Sequence, residues 1–157
     1  MITVDILNPF LVAAAEVLQS TTLARVTRGD LSIFNSTDTV HDVTVTLSVV
    51  GEVQGTVLYS LSERTALNLV GQMLGSPIHE LDALARSGIA ELGNIITGRA
   101  ATKLASAGYE SNISTPNVIV GSNMRIFTHV TPRIVVELET ECGPLEVHLA
   151  ITDGVPD

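Results

Sequence analysis

Apolar side chains recur at helical spacing over three stretches of the chain and at the two-residue spacing of strands over most of the rest. Phe10, Leu11, Ala14, Val17 and Leu18 predict a helix within Met1–Ser20. Asn8-Pro9 offers its start, asparagine as N-cap and proline in the first helical position, with Asp5 as an alternative beginning. Ser62 to Gly75 reads as a shorter helix, capped by Ser62 and closed by Gly75. After a break at Ser76-Pro77 the longest helical pattern runs from about Glu80 to Ala107. Glu80 and Asp82 fall in its first turn and Gly108 lies just past its end.

Val43–Val50 and Gln54–Leu61 are rich in Val, Thr, Leu and Tyr around Gly51-Glu52 and predict a hairpin. Ala24–Asn35 is a weaker pattern, one or two short strands about a turn at Gly29-Asp30. Asn117–Val120, Met124–Thr128, Ile134–Glu139 and Pro144–Ile151 read as strands punctuated by Gly, Asn and Pro, and Gly154-Val155-Pro156 as a frayed tail.

The two halves resemble each other. Asp5-Ile6-Leu7-Asn8 aligns with Glu91-Leu92-Gly93-Asn94 at an offset of 86, and Ala14, Ala15 and Leu18 then meet Ala100, Ala101 and Leu104. Gly55–Leu61 aligns with Gly143–Leu149 at an offset of 88. Each half is a helix followed by strands ending in a hairpin. The expected fold is therefore α+β: one domain over 1–157, in two layers, with long helices on one face of a largely antiparallel sheet and an internal pseudo-twofold repeat. Covering the other face would take a second helical layer that the sequence does not supply.

At 157 residues, 45% hydrophobic and 16% charged, the chain can bury a core without staples, and with no Trp, two Tyr and three Phe that core must be aliphatic. A net charge of −9, with no basic run among eight Arg and Lys, argues against nucleic acid and anionic membranes as partners. The lone Cys142, in a turn, fits a reducing cytoplasm, and neither a leader pattern nor an apolar run of spanning length is present.

Most site chemistries are missing. Gly93–Ala100 fails as a phosphate loop, because Arg99 and Ala100 replace the lysine and the hydroxyl and the stretch lies within a helical pattern. His41, His79, His129 and His148 have no metal-ligand spacing, and there is no nucleophile elbow. What remains is Glu91 and Asn94, about 60° apart on one helix face. Ala83, Ser87, Ala90, Gly98, Ala101 and Ala105 share that face, Leu81, Leu92, Ile95 and Ile96 form an adjoining apolar one, and Leu84 falls between. The pattern alone is equally that of a solvated helix face. Chemically, a carboxamide can orient a water for phosphoryl hydrolysis, and a carboxylate can pair with a basic group on a partner. With no phosphate cradle or magnesium ligands beside them, the rest of such a site would have to come from another protein.

Leu81-Asp82-Ala83-Leu84-Ala85, Ile89–Asn94 and Thr97-Gly98, with Asn8-Pro9-Phe10 and Gly55–Ser60, resemble the CheX members of the CheC/CheX/FliY chemotaxis phosphatases over nearly the whole chain. The resemblance implies hydrolysis of the aspartyl phosphate of a CheY-like response regulator. Asn94 would orient the attacking water and Glu91 would anchor the partner. Ser87, Ala90 and Gly98 would make room for the regulator's loops. The chain would need no cofactor or metal of its own, the regulator bringing the magnesium, and it would form a homodimer through sheet pairing. CheC relatives can carry two such sites. Here the first-half counterpart is Asp5-x-x-Asn8, with Pro9 directly after, which reads as a helix cap. The rival readings are a docking module that binds a regulator or flagellar switch component without hydrolysis, and a dimerisation module.

Overall fold

A computed structural model of the chain describes residues 2–22, 25–34 and 41–153. In chain order the elements are α1 (Val4–Thr22), β1 (Val26–Phe34), β2 (Val43–Gly51), β3 (Gln54–Leu61), α2 (Glu63–Leu74), α3 (Ala83–Ser106), β4 (Ser111–Ile113), β5 (Asn117–Val120), β6 (Arg133–Thr140) and β7 (Gly143–Thr152). The strands form one antiparallel sheet in the order β1-β6-β7-β3-β2-β4, with β5 also paired to β2. The three helices pack on one another and on one face of that sheet. The α+β, two-layer expectation holds.

The order of the sheet carries the internal repeat. Each half contributes two inner strands to the centre, and its outer chain, β1 from the first half and the short β4 and β5 from the second, pairs with an inner strand of the other half, β6 and β2 respectively. At the middle, Tyr59 of β3 stands opposite Val147 of β7. These residues are related by the repeat offset of 88, so the pseudo-twofold axis passes between them. The helices follow the same rule. Ile6, Leu7, Phe10, Leu11, Ala14 and Leu18 of α1 are buried, and so are Leu92, Gly93, Ile96, Thr97, Ala100 and Leu104 of α3, each 86 residues on.

Several boundaries differ from the expectation. α1 begins at Val4, so Asn8 and Pro9 lie inside it, and Asp5 is a first-turn residue and not the cap. Thr3 O takes the first helical bonds, from Ile6 N and Leu7 N. Proline inside a helix costs about 3 kcal/mol. The extra turn buries Ile6 and Leu7, each worth about 1.5–3 kcal/mol, and burial wins. α3 begins at Ala83 instead of Glu80, because the Asp82 carboxylate accepts from Ala85 N at 2.9 Å and serves as N-cap. α2 keeps its expected caps, Ser62 accepting from Thr65 N and Gly75 in the left-handed conformation.

β1 is one strand whose register shifts between Arg28 and Leu31, so Gly29-Asp30 forms an irregularity and not a turn. Met124–Thr128 is not a strand. Its alternation finds no ladder beyond an isolated bridge at Arg125, and Phe127 stands 77% exposed. Ser111–Ile113, too short and polar for a sequence signal, pairs with β2. The tail at 154–157 lies outside the described residues.

The far side of the sheet is also buried at its centre, where Thr44, Leu58, Ser60, Val135, His148 and Ala150 are all covered. No described helix lies there, so the supposed need for a second helical layer was wrong. Irregular chain reaches that side, with Arg133 Nε donating to Thr128 Oγ1 at 3.2 Å.

Candidate functional site

α3 is held from below by a stripe of buried residues, Ala85, Ile89, Leu92, Gly93, Ile96, Thr97, Ala100 and Leu104. Two of its three glycines are there for packing. A β-carbon on Gly93 would stand 2.8 Å from Val45 Cγ1, and one on Gly88 would stand 3.0 Å from Val70 Cγ1 of α2. Near its C-terminal end, Lys103 Nζ reaches Glu16 Oε1 of α1 at 2.8 Å, a bond that holds the Glu16 carboxyl below its usual range.

The opposite face carries the residues singled out in the sequence. Glu91 and Ser87 are exposed, while Asn94, Ala90 and Gly98 are partly buried. Neither Glu91 nor Asn94 has a side-chain hydrogen bond or ion pair among the described residues. The third glycine behaves unlike the other two, since a β-carbon on Gly98 would meet only Ile113 Cδ1, at 3.9 Å. Leu84 is 59% exposed on the same side, so it belongs to the outer face and not between the two. Asp5 and Asn8 also stand exposed on α1.

The pair occupies an open helix surface and not a pocket. Two clefts of about 530 Å³ lie elsewhere, one lined by α2 and the turn containing Glu141 and Cys142, the other by Gly51, Glu52, Glu110 and their neighbours. In the first cleft, burial and the neighbouring Glu141 push the Cys142 thiol up, which makes it a poor nucleophile. Among the described residues no three His, Cys, Asp or Glu side chains are grouped to hold a metal ion. No described helix is long and apolar enough to cross a membrane. An open helix surface with two polar groups unengaged among the described residues suits a macromolecular partner better than a small molecule.

One polar arrangement beneath this face was not read from the sequence. Tyr59 Oη lies 2.8 Å from Thr97 Oγ1, and Thr97 Oγ1 donates to Gly93 O at 2.7 Å, all of it buried. Residues 38 apart carry no local signal of such a bond.

The family model described as chemotaxis phosphatase CheX matches residues 43–139, which include all of α3 and most of the sheet. The chain belongs to the chemotaxis phosphatase CheX family. A CheX relative from Thermotoga maritima, the CheY-P phosphatase CheX, is 32% identical over 116 residues, covering 73% of this chain and 74% of its own. The fold matches a CheC-like superfamily protein from Shewanella sp. PV-4 with a TM-score of 0.87 at 25% identity, over 96% of this chain and 99% of that one. It also matches a crystal structure of a CheX–CheY–BeF3–Mg2+ complex from Borrelia burgdorferi, with a TM-score of 0.81 at 26% identity, over 95% and 99% of the two chains.

Proposed function

We propose that this CheX family member hydrolyses the aspartyl phosphate of a CheY-like response regulator. Asn94 enters the regulator's active site and orients the attacking water. Glu91 pairs with a basic group on the regulator. Ser87, Ala90 and Gly98 leave room for the regulator's loops, and the regulator brings the phosphoryl group and its magnesium. The observation that carries this reading is the unengaged Glu91/Asn94 pair on the open face of a capped, firmly seated helix. Phosphoryl transfer asks mainly for positioning, which one well-held carboxamide can supply to a site otherwise built by the partner. The activity named for the Thermotoga relative and the CheX–CheY assembly from Borrelia support the same substrate class.

The working form is a homodimer joined through β1. That strand is paired only to β6 among the described residues, so its outer edge is open, and Leu31 and Ile33 on it are 47% and 64% exposed. Val4 and Val12 of α1 are exposed as well.

The deciding experiment is a decay time course of an acyl-phosphorylated regulator with magnesium, with and without substoichiometric protein. Faster decay with multiple turnovers is expected. Binding with unchanged decay would leave a docking module, and no binding at all would leave a dimerisation module.

A further inference from the structure

The fold is built twice, and its two halves seat their helices differently at one equivalent place. Thr97 of α3, in the second half, meets Tyr59 of β3, in the first, through a buried hydrogen bond. The repeat carries Thr97 back onto Leu11 of α1 and Tyr59 onto Val147 of β7. Leu11 and Val147 are both buried and both apolar. The fold therefore accepts a purely hydrophobic seat at this position, and the one helix that received a polar seat is the one that carries Glu91 and Asn94.

The geometry of that seat is directional. Burial pushes the Tyr59 phenol far up, the Thr97 bond offsetting part of the effect, so the hydroxyl stays protonated. Thr97 spends its own proton on Gly93 O, so Tyr59 must donate to Thr97 Oγ1. The chain of bonds runs from the centre of the sheet to the carbonyl of the residue just before Asn94. The Tyr59 ring flanks the same glycine, 3.5 Å from where its β-carbon would be. A hydrophobic contact tolerates sliding and rotation; a 2.8 Å bond from the sheet to a hydroxyl that is itself fixed by a 2.7 Å bond within α3 does not.

We infer that Tyr59 and Thr97 are positioning residues, fixing the height and rotation of the α3 turn that presents Asn94 to the regulator's phosphoryl group. This rests on the phosphatase reading above. The pair touches no substrate and acts only through Asn94.

The test is steady-state dephosphorylation of an acyl-phosphorylated regulator by wild type, Tyr59→Phe, Thr97→Val and Thr97→Ser, with thermal melts alongside. Tyr59→Phe is the clean variant, because it leaves no buried donor unpaired: Thr97 still donates to Gly93 O. Tyr59→Phe and Thr97→Val should lower kcat roughly tenfold with KM unchanged, as small displacements of a positioning group do. Thr97→Ser should restore wild-type kcat, and Tyr59→Phe should melt close to wild type. Should Thr97→Val fail to fold, Tyr59→Phe alone decides. A Tyr59→Phe enzyme with wild-type kcat, or one altered only in KM or melting temperature, overturns the inference. Wild type without turnover overturns the phosphatase reading and takes this role with it.

Discussion

Gly93 of α3 rests against Val45 of β2 so closely that a β-carbon there would stand 2.8 Å from Val45 Cγ1. The contact comes one residue before Asn94, so the height of the helix is set where the chemistry is proposed. Overpacking of this kind costs typically about 1–3 kcal/mol. Gly93→Ala should lower the urea midpoint correspondingly and reduce regulator dephosphorylation with it. A variant as stable and as active as wild type would mean that α3 can lift off the sheet freely.

Gly98 makes the opposite case. Nothing among the described residues demands a glycine there, and alanine in a helix interior is about 1 kcal/mol better than glycine. Gly98→Ala is therefore expected to raise stability and yet slow turnover, its methyl group intruding on the regulator. Equal turnover would remove Gly98 from the partner surface.

Asn94→Ala and Glu91→Lys should separate two roles. Neither side chain is bonded among the described residues, so both variants should unfold within about 0.5 kcal/mol of wild type. Asn94→Ala should cut kcat by about a hundredfold with little change in KM, since water positioning is lost and docking is kept. Glu91→Lys should act mainly on KM, through repulsion of the regulator's basic group. Full activity in Asn94→Ala would sink the proposed mechanism.

A pH effect is expected on the far side of the sheet. A hydrogen bond with Glu139, then burial, then the charges of Glu139, Glu146 and Asp30 raise the Glu137 carboxyl above its ordinary value of 4.5. A carboxyl raised in the folded state costs stability as pH rises through its folded value, and the cost vanishes below its unfolded value. Glu137→Gln should therefore melt higher than wild type at neutral pH, and the gap should close as pH falls through that window. Glu146 runs the other way. Its bond to His148 Nε2 at 3.1 Å, opposed by burial, lowers it, so its contribution is present above the ordinary value and lost at lower pH. A Glu137→Gln gain that persisted in acid would contradict the assigned cause.

For the dimer, Ile33→Lys puts a charge on the open edge of β1. It should shift the molecular mass seen by light scattering from two chains to one while leaving the monomer folded. An unchanged mass would place the interface elsewhere.

Local chemistry was legible where one residue decides one feature. Ser62 caps α2 with its hydroxyl and Gly75 with its left-handed backbone, and the alternation about Gly51-Glu52 forms the hairpin in register from Val43↔Leu61 to Val49↔Gly55. Choices between near-equal signals were not legible. Glu80 and Asp82 are both acceptable at a helix start, and only the reach of Asp82 to Ala85 N separates them. Met124–Thr128 has a strand's alternation, but a strand also needs a neighbour with an open edge, and the sequence is silent on that. The Glu91/Asn94 face could be read because helical spacing makes its own map. The Tyr59–Thr97 bond beneath it could not, because it joins elements whose meeting is decided by the sheet.

The order of the sheet has a consequence for synthesis. β1 pairs with β6, on the order of a hundred residues later in the chain, and the edge of β2 waits for β4 and β5. A chain emerging from the ribosome would hold β1 and the hairpin β2–β3 without their neighbours until most of it had been made. Contacts so distant in sequence slow folding and lengthen the exposure of unpaired edges. The first half cannot serve as a nucleus that the second merely joins; each half supplies the strand that completes the other.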